Sequence, residues 1–125
     1  MNRYVLEGIA LLLRTELMMQ MSTLHALHIL VRNARTADAR NPIHVTCEDL
    51  CRAVDIACVL YFKRVLCLQR SVVTVILLRH HGFNADLVVG AQSSPFKAHA
   101  WAELSNVVIN DKPYVPSIYA ELERC

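Results

Sequence analysis

A chain of 125 residues with 54% apolar and 19% charged side chains has enough material to bury a core without disulfide or metal staples. Its formal charge of +2 rests on scattered basic residues with no interleaved aromatic stripe, which excludes a nucleic-acid binder. Five cysteines, at 47, 51, 58, 67 and 125, are an odd number and fit reduced thiols in a cytoplasmic setting better than a disulfide framework.

Taken in order, Tyr4 to about Leu30 reads as helix, with a break expected near Ser22-Thr23, where either hydroxyl can cap a second segment. Arg3, Glu7 and Arg14 share one face while Glu16 projects opposite, the pattern of an amphipathic helix packed on a core. Those charges interrupt the apolar run before about 18 apolar residues accumulate, so neither a membrane span nor a signal peptide is expected. His25 and His28 have metal-ligand spacing but no third ligand nearby, and ordinary packing is the simpler expectation. The polar stretch from Asn33 to His44, with Asn41-Pro42, is a predicted loop.

Thr46-Cys47-Glu48-Asp49 predicts a helix start, with Thr46 as cap and Asp49 answering it, and a run to about Lys63. Cys47, Cys51 and Cys58 fall within about 40° of each other on its wheel. A shared metal is one reading, but Leu50, Val54 and Ala57 lie beside them, so a core face is expected and no metal. From Cys67 to Gly82 the apolar positions 66, 68, 72, 73 and 75 to 78 cover most of the helical circumference, which predicts a central helix packed on all sides. Gly82 supplies its stop, with His80 and His81 in the last turn, and Cys67 stands at its start, where unpaired N–H groups and the dipole favour a thiolate.

Beyond Gly82 the period changes to two. Phe83 to Ala91 reads as a strand, Gln92 to Pro95 as a turn, and Ala98 to Leu104 and Val107 to Asp111 as two more strands, with a short helix expected over Ser117 to Arg124. The expected fold class is therefore α+β, with N-terminal helices and a central buried helix packed on a small antiparallel sheet.

A thiol at a helix start, His99 on one strand and Asn110-Asp111 on the next form the order of nucleophile, base and orienter. The hairpin register decides which orienter faces the histidine. A two-residue turn at Ser105-Asn106 puts Asn110 on the face of His99, whereas a three-residue loop over Leu104 to Asn106, or a bulge, puts Asp111 there. Asp111 is preferred because an ionised carboxylate also stabilises an imidazolium. Trp101 shares the face of His99 and either shields the site or anchors the sheet, with packing favoured.

Three runs then carry a resemblance. Cys67-Leu68-Gln69-Arg70-Ser71, His99-Ala100-Trp101-Ala102-Glu103 and Val108-Ile109-Asn110-Asp111 resemble the Cys-Leu-x-x-Ser, His-Ala-Trp-x-Glu and terminal Asn-Asp signatures of the transglutaminase-like superfamily. Within it, the runs resemble the leader-peptidase part of lasso peptide biosynthesis protein B. The similarity covers about 45 to 115, including Leu78 to Gly90, which is similar to that family's Leu-Arg-x-x-Gly stretch. It implies a papain-like cysteine peptidase, without cofactor, that removes the leader from a ribosomally made precursor peptide before a separate ATP-dependent cyclase closes the ring. By motif, Cys67 would be nucleophile, His99 base and then acid, and Asp111 orienter.

The helix-start N–H groups, that of Cys67 included, are the expected oxyanion donors, and Gln69 either assists them or forms a polar face of the first turn. The resemblance further implies one domain over 1–125, with a helical N-terminal extension over 1–45 and a catalytic core over 46–125. Residues 1–45 are too poor in strands for the leader-recognition domain that precedes the peptidase in fused members, so a separate leader-recognition protein is expected as partner. Leu104-Ser105-Asn106-Val107 departs from the family's Asp-Gly turn and leaves the register open. Two other readings use the same residues: an acyl transferase or amidase on the same triad, and a non-catalytic peptide-binding module in which Cys67 is a packed helix residue.

Overall fold

The structure, a computed structural model, describes residues 2–21, 30–34, 36, 45–61, 64–93 and 95–125. His25, His28, the expected break at Ser22-Thr23 and most of the predicted 33–44 loop lie outside the described residues. The elements in order are α1 (Asn2–Met21), α2 (Cys47–Leu60), α3 (Cys67–His80), β1 (Ala85–Ser93), β2 (Phe96–Leu104), β3 (Val107–Val108), α4 (Val115–Ile118) and β4 (Ala120–Arg124). The strands form one antiparallel sheet in the order β3-β2-β1-β4. The expected α+β architecture is the one observed.

Local chemistry sets the helix ends. Thr46 Oγ1 accepts the Asp49 N–H at 3.1 Å while Asp49 Oδ2 accepts the Thr46 N–H at 3.3 Å, the reciprocal cap that the sequence predicted for α2. At the end of α3, Gly82 adopts φ 91°. The Phe83 N–H then donates to the Leu78 carbonyl at 2.9 Å and the Gly82 N–H to that of Arg79 at 3.2 Å. This paired closure satisfies carbonyls the last turn would leave bare, and Leu78 and Phe83 pack in the same core.

α3 lies at the centre, against α1 and α2 on one side and β1 and β2 on the other. Gln69 and every residue from Ser71 to Arg79 are buried, as an almost all-round apolar sequence requires. α1 contributes Val5, Leu11 and Leu12 to this core, so it is an integral layer and not an appendage. Arg79 is 7% exposed and ties three segments together. Its Nε donates to the Ala85 carbonyl at 2.9 Å, and its Nη1 to the carbonyls of Val31 at 2.6 Å and Ala34 at 3.2 Å. Cys47, Cys51 and Cys58 are half-buried against the core, and among the described residues no three His, Cys, Asp or Glu side chains are placed to share a metal ion.

The two sheet faces bury different cores. Leu87, Ala100 and Ala102 pack with α3, whereas Val88, Trp101 and Val115 form a second cluster joined by Val108 and Tyr119. The structure departs from the sequence reading at three places. β1 and β2 run further toward the hairpin tip than predicted, to a Ser93–Phe96 pair, and β3 stops at Val108 instead of Asp111. The short helix expected over Ser117 to Arg124 is instead α4 over Val115–Ile118, followed by a strand. Pro116 fits the first turn of that helix, but Ala120 onward takes the free edge of β1, where Leu87 and Cys125 exchange hydrogen bonds of 2.7 and 2.9 Å. Among the described residues, no helix is long and apolar enough to cross a membrane.

Candidate active site

Cys67 opens α3 and is exposed to solvent. The first helical bond runs from the Arg70 N–H to the Leu66 carbonyl at 3.0 Å, so the N–H groups of Cys67, Leu68 and Gln69 precede the helical ladder. A cleft of about 120 Å³ is bordered by Cys67 and Leu68 from the helix and by Val89, Ala98, His99 and Ala100 from the sheet. The expected nucleophile and base thus border one cavity. Small side chains at Ala98 and Ala100 leave that space open.

His99 Nε2 and Asp111 Oδ2 are 2.6 Å apart, a charge-assisted distance. Burial pushes the Asp111 carboxyl up, but it is outweighed by the hydrogen bond to His99, the Lys112 N–H at 2.8 Å on Oδ1, and the charges of His99 and Arg70, so the carboxyl titrates below its ordinary value. An ionised carboxylate only accepts hydrogen bonds. Nε2 therefore carries the shared proton, and Nδ1, which makes no hydrogen bond among the described residues, is the nitrogen left to accept one. The imidazole is also held by its faces, with ring centroids 5.1 Å from Tyr119 and 6.1 Å from Trp101, both near-parallel.

The turn at Ser105-Asn106 has two residues, with φ of 53° and 65°, the two left-handed positions of a type I′ hairpin. In an unbroken ladder this register would have made Asn110 the orienter of His99. The ladder, however, ends before that position. The Ile109 N–H donates to the Ala102 carbonyl at 3.0 Å, but the Ala102 N–H is then accepted by the Asn110 side chain, Oδ1 at 2.7 Å, in place of a main-chain carbonyl. Strand pairing ceases, and Asp111 reaches the imidazole instead. Asn110 Nδ2 donates to Ser71 Oγ at 3.0 Å, and Ser71 donates to the Ala100 carbonyl at 3.0 Å, so Asn110 bolts the site's strand to α3.

Gln69, offered by the sequence as an oxyanion or substrate-binding candidate, is 6% exposed and engaged at both ends. Its Oε1 accepts the Leu66 N–H at 3.1 Å and its Nε2 donates to Glu16 at 3.0 Å, so it caps α3 and joins it to α1. Trp101 is 1% exposed, and its Nε1 donates to Glu103 at 2.7 Å. Glu103 in turn meets Arg124 at 2.9 Å, which places the indole as the sheet's anchor beside the site. Tyr119 was missed by sequence reasoning. Its only signal is an aromatic residue shortly after two prolines, and nothing local connects it with a histidine 20 residues earlier.

Comparison with known families and proteins bears on this geometry. The family model for the transglutaminase-like superfamily matches residues 9–124. The chain is also similar to the microcin J25-processing protein McjB of Escherichia coli, with 38% identity over 47 residues that span 38% of this chain and 23% of that protein. No solved structure matches.

Proposed function

The chain belongs to the transglutaminase-like superfamily, and on that footing we propose that it is a cysteine peptidase that removes the leader from a ribosomally made lasso peptide precursor. The observation that carries this reading is that His99, which holds Asp111 at 2.6 Å, borders the same cleft as Cys67. The substrate class rests on the similarity to a microcin-processing protein and on the Cys-Leu-x-x-Ser and His-Ala-Trp-x-Glu runs.

The chemistry follows from which atoms are free. His99 Nδ1 takes the Cys67 thiol proton, and the thiolate attacks the scissile carbonyl carbon. Asp111 holds the imidazole in one tautomer and offsets the charge it acquires. The negative oxygen of the tetrahedral intermediate is met by the N–H groups that precede the α3 ladder, that of Cys67 included. The imidazolium then protonates the leaving amine as the carbon–nitrogen bond breaks. Water, deprotonated by the same nitrogen, hydrolyses the thioester and restores the thiol. A separate leader-recognition protein presents the precursor, and an ATP-dependent cyclase acts on the released core.

The test is to incubate the chain with the precursor peptide encoded beside it and a leader-binding partner, and to follow leader and core by mass spectrometry. Wild type is expected to yield both fragments and Cys67→Ala neither. Intact precursor with wild type, or undiminished cleavage by Cys67→Ala, rejects the reading. An added amine that appears on the product instead of water would reassign the reaction to acyl transfer.

A further inference from the structure

α1 is apolar on two sides. One side buries Val5, Leu11 and Leu12 in the core that α2 and α3 share. The opposite side presents Leu6, Ala10, Leu13 and Leu17 to solvent, and the three leucines are 65%, 44% and 59% exposed. Steps of four, three and four residues keep these side chains in one row, the spacing by which one helix packs along another at a shallow crossing angle. The row runs for about three turns on a helix whose other face already holds it in the domain. A large apolar row left in water marks a surface for association.

The flank of the row identifies the occupant. Glu7 and Arg14 lie along one side of it, about two turns apart. Glu7 gives Oε2 to His81 at 3.0 Å, while Oε1 has Arg3 only at 3.9 Å. Arg14 is exposed, with no hydrogen bond or ion pair among the described residues. When the row is laid against a copy of itself running the opposite way, Leu6 meets Leu17 and Ala10 meets Leu13, each pair occurring twice about a two-fold axis. The charged flanks of the two helices then adjoin. Glu7 of one copy stands about 3 Å along the axis from Arg14 of the other, within reach of both side chains. Parallel pairing would set the same flank against Asn2 and Ile9, which offer no charge to match.

We propose that this outer face of α1 is a homodimer interface, in which two copies pair antiparallel through Leu6, Ala10, Leu13 and Leu17 and through reciprocal Glu7–Arg14 ion pairs. It goes beyond the peptidase reading and stands independently of it, since none of these side chains borders the Cys67 cleft. A seam of about three turns is below the standard interface size, so the dimer is a reversible one, and its exposed ion pairs make it weaker at high salt.

Sedimentation equilibrium of the full chain from about 1 μM to 1 mM spans the range in which such interfaces dissociate. A monomer–dimer equilibrium that weakens with salt is expected. A monomer throughout overturns the proposal, and that includes the case in which the face serves a different protein. The double variant Leu6→Glu, Leu17→Glu sets like charges against each other in either orientation, and its dissociation constant is expected to rise at least tenfold with the monomer's melting temperature unchanged; a wild-type dimer overturns the proposal. Leu6→Glu with Leu17→Lys brings opposite charges together only in the antiparallel register. This variant is expected to regain at least tenfold over the first, and no recovery rejects the pairing. Should these variants fail to fold, Arg14→Glu at an exposed position still tests it: association at least tenfold weaker is expected, and wild-type association is contrary.

Discussion

Asp111 occupies Nε2 of His99, and this decides the protonation of the candidate site. Asp111→Asn keeps a hydrogen-bond acceptor of similar volume but removes the charge that offsets an imidazolium, so turnover of the precursor is expected to fall by about 100-fold. The same carboxyl sets a stability signature. Its folded pKa lies below the ordinary value, so its contribution is fully present above that value and is lost as pH falls through the depressed one. Melting temperatures of wild type and Asp111→Asn should therefore differ by a constant amount from neutral pH down to about pH 4 and converge below it. The thiols offer a second residue-scale test. Burial, with Cys47 nearby, pushes Cys51 up to about 12, and burial also raises Cys47, Cys58 and Cys125, which leaves these four thiols protonated at pH 8. Cys67 is the exposed cysteine, at a helix start, and limiting iodoacetamide is expected to mark it first in peptide mapping. Equal labelling of Cys67 and Cys125 would count against a nucleophilic Cys67.

The elements meet at the side chain of Asn110, which ends β3, caps the Ala102 N–H and reaches Ser71 on α3. Asn110→Ala leaves a partly buried donor unmet, and a loss of about 1–3 kcal/mol in denaturant melts is expected. Turnover should fall as well, although Cys67, His99 and Asp111 are unchanged, because nothing then fixes where the chain leaves the ladder. Gly90 plays a comparable part in β1. A Cβ there would lie 2.8 Å from Trp101 and 3.0 Å from the Ala120 carbonyl, at the register shift where β4 joins the sheet. Gly90→Ala is expected to cost about 1–3 kcal/mol, read as a lower melting temperature, since either the indole or β4 must yield.

Across the whole molecule, two ties hold the layers around α3. Gln69 joins the start of α3 to α1 through Glu16, and Arg79 joins its end to residues 31–34 and to β1. Arg79→Met fills similar volume but leaves three carbonyls without their donor, and is expected to destabilise by about 2–4 kcal/mol in equilibrium unfolding. That is a large share of the 5–15 kcal/mol typical of a domain. On the far face of the sheet, Arg124 bonds Asp86, Glu103 and Glu121 and draws the C-terminal strand across the sheet's second core. Tyr119, between α4 and β4, thereby reaches the His99 ring.

The sequence by itself determined what local signals can specify. The Thr46–Asp49 cap, the all-round apolar run of α3, its Gly82 stop and the change to period two each depend on residues within about one or two turns of each other. The Cys67 and His99 runs were legible for the same reason, as short motifs on predicted elements. Only the tertiary structure decided the rest. The hairpin turn alone pointed to Asn110 as orienter, and it was the unmet N–H of Ala102 that captured Asn110 and released Asp111 to His99. Residues 120–124 became a strand because β1 had an open edge to fill, and Gln69 turned inward because Leu66 and Glu16 needed it. In each case a buried or edge polar group had to find a partner, and which segment supplied it depended on residues brought together from far apart in the chain.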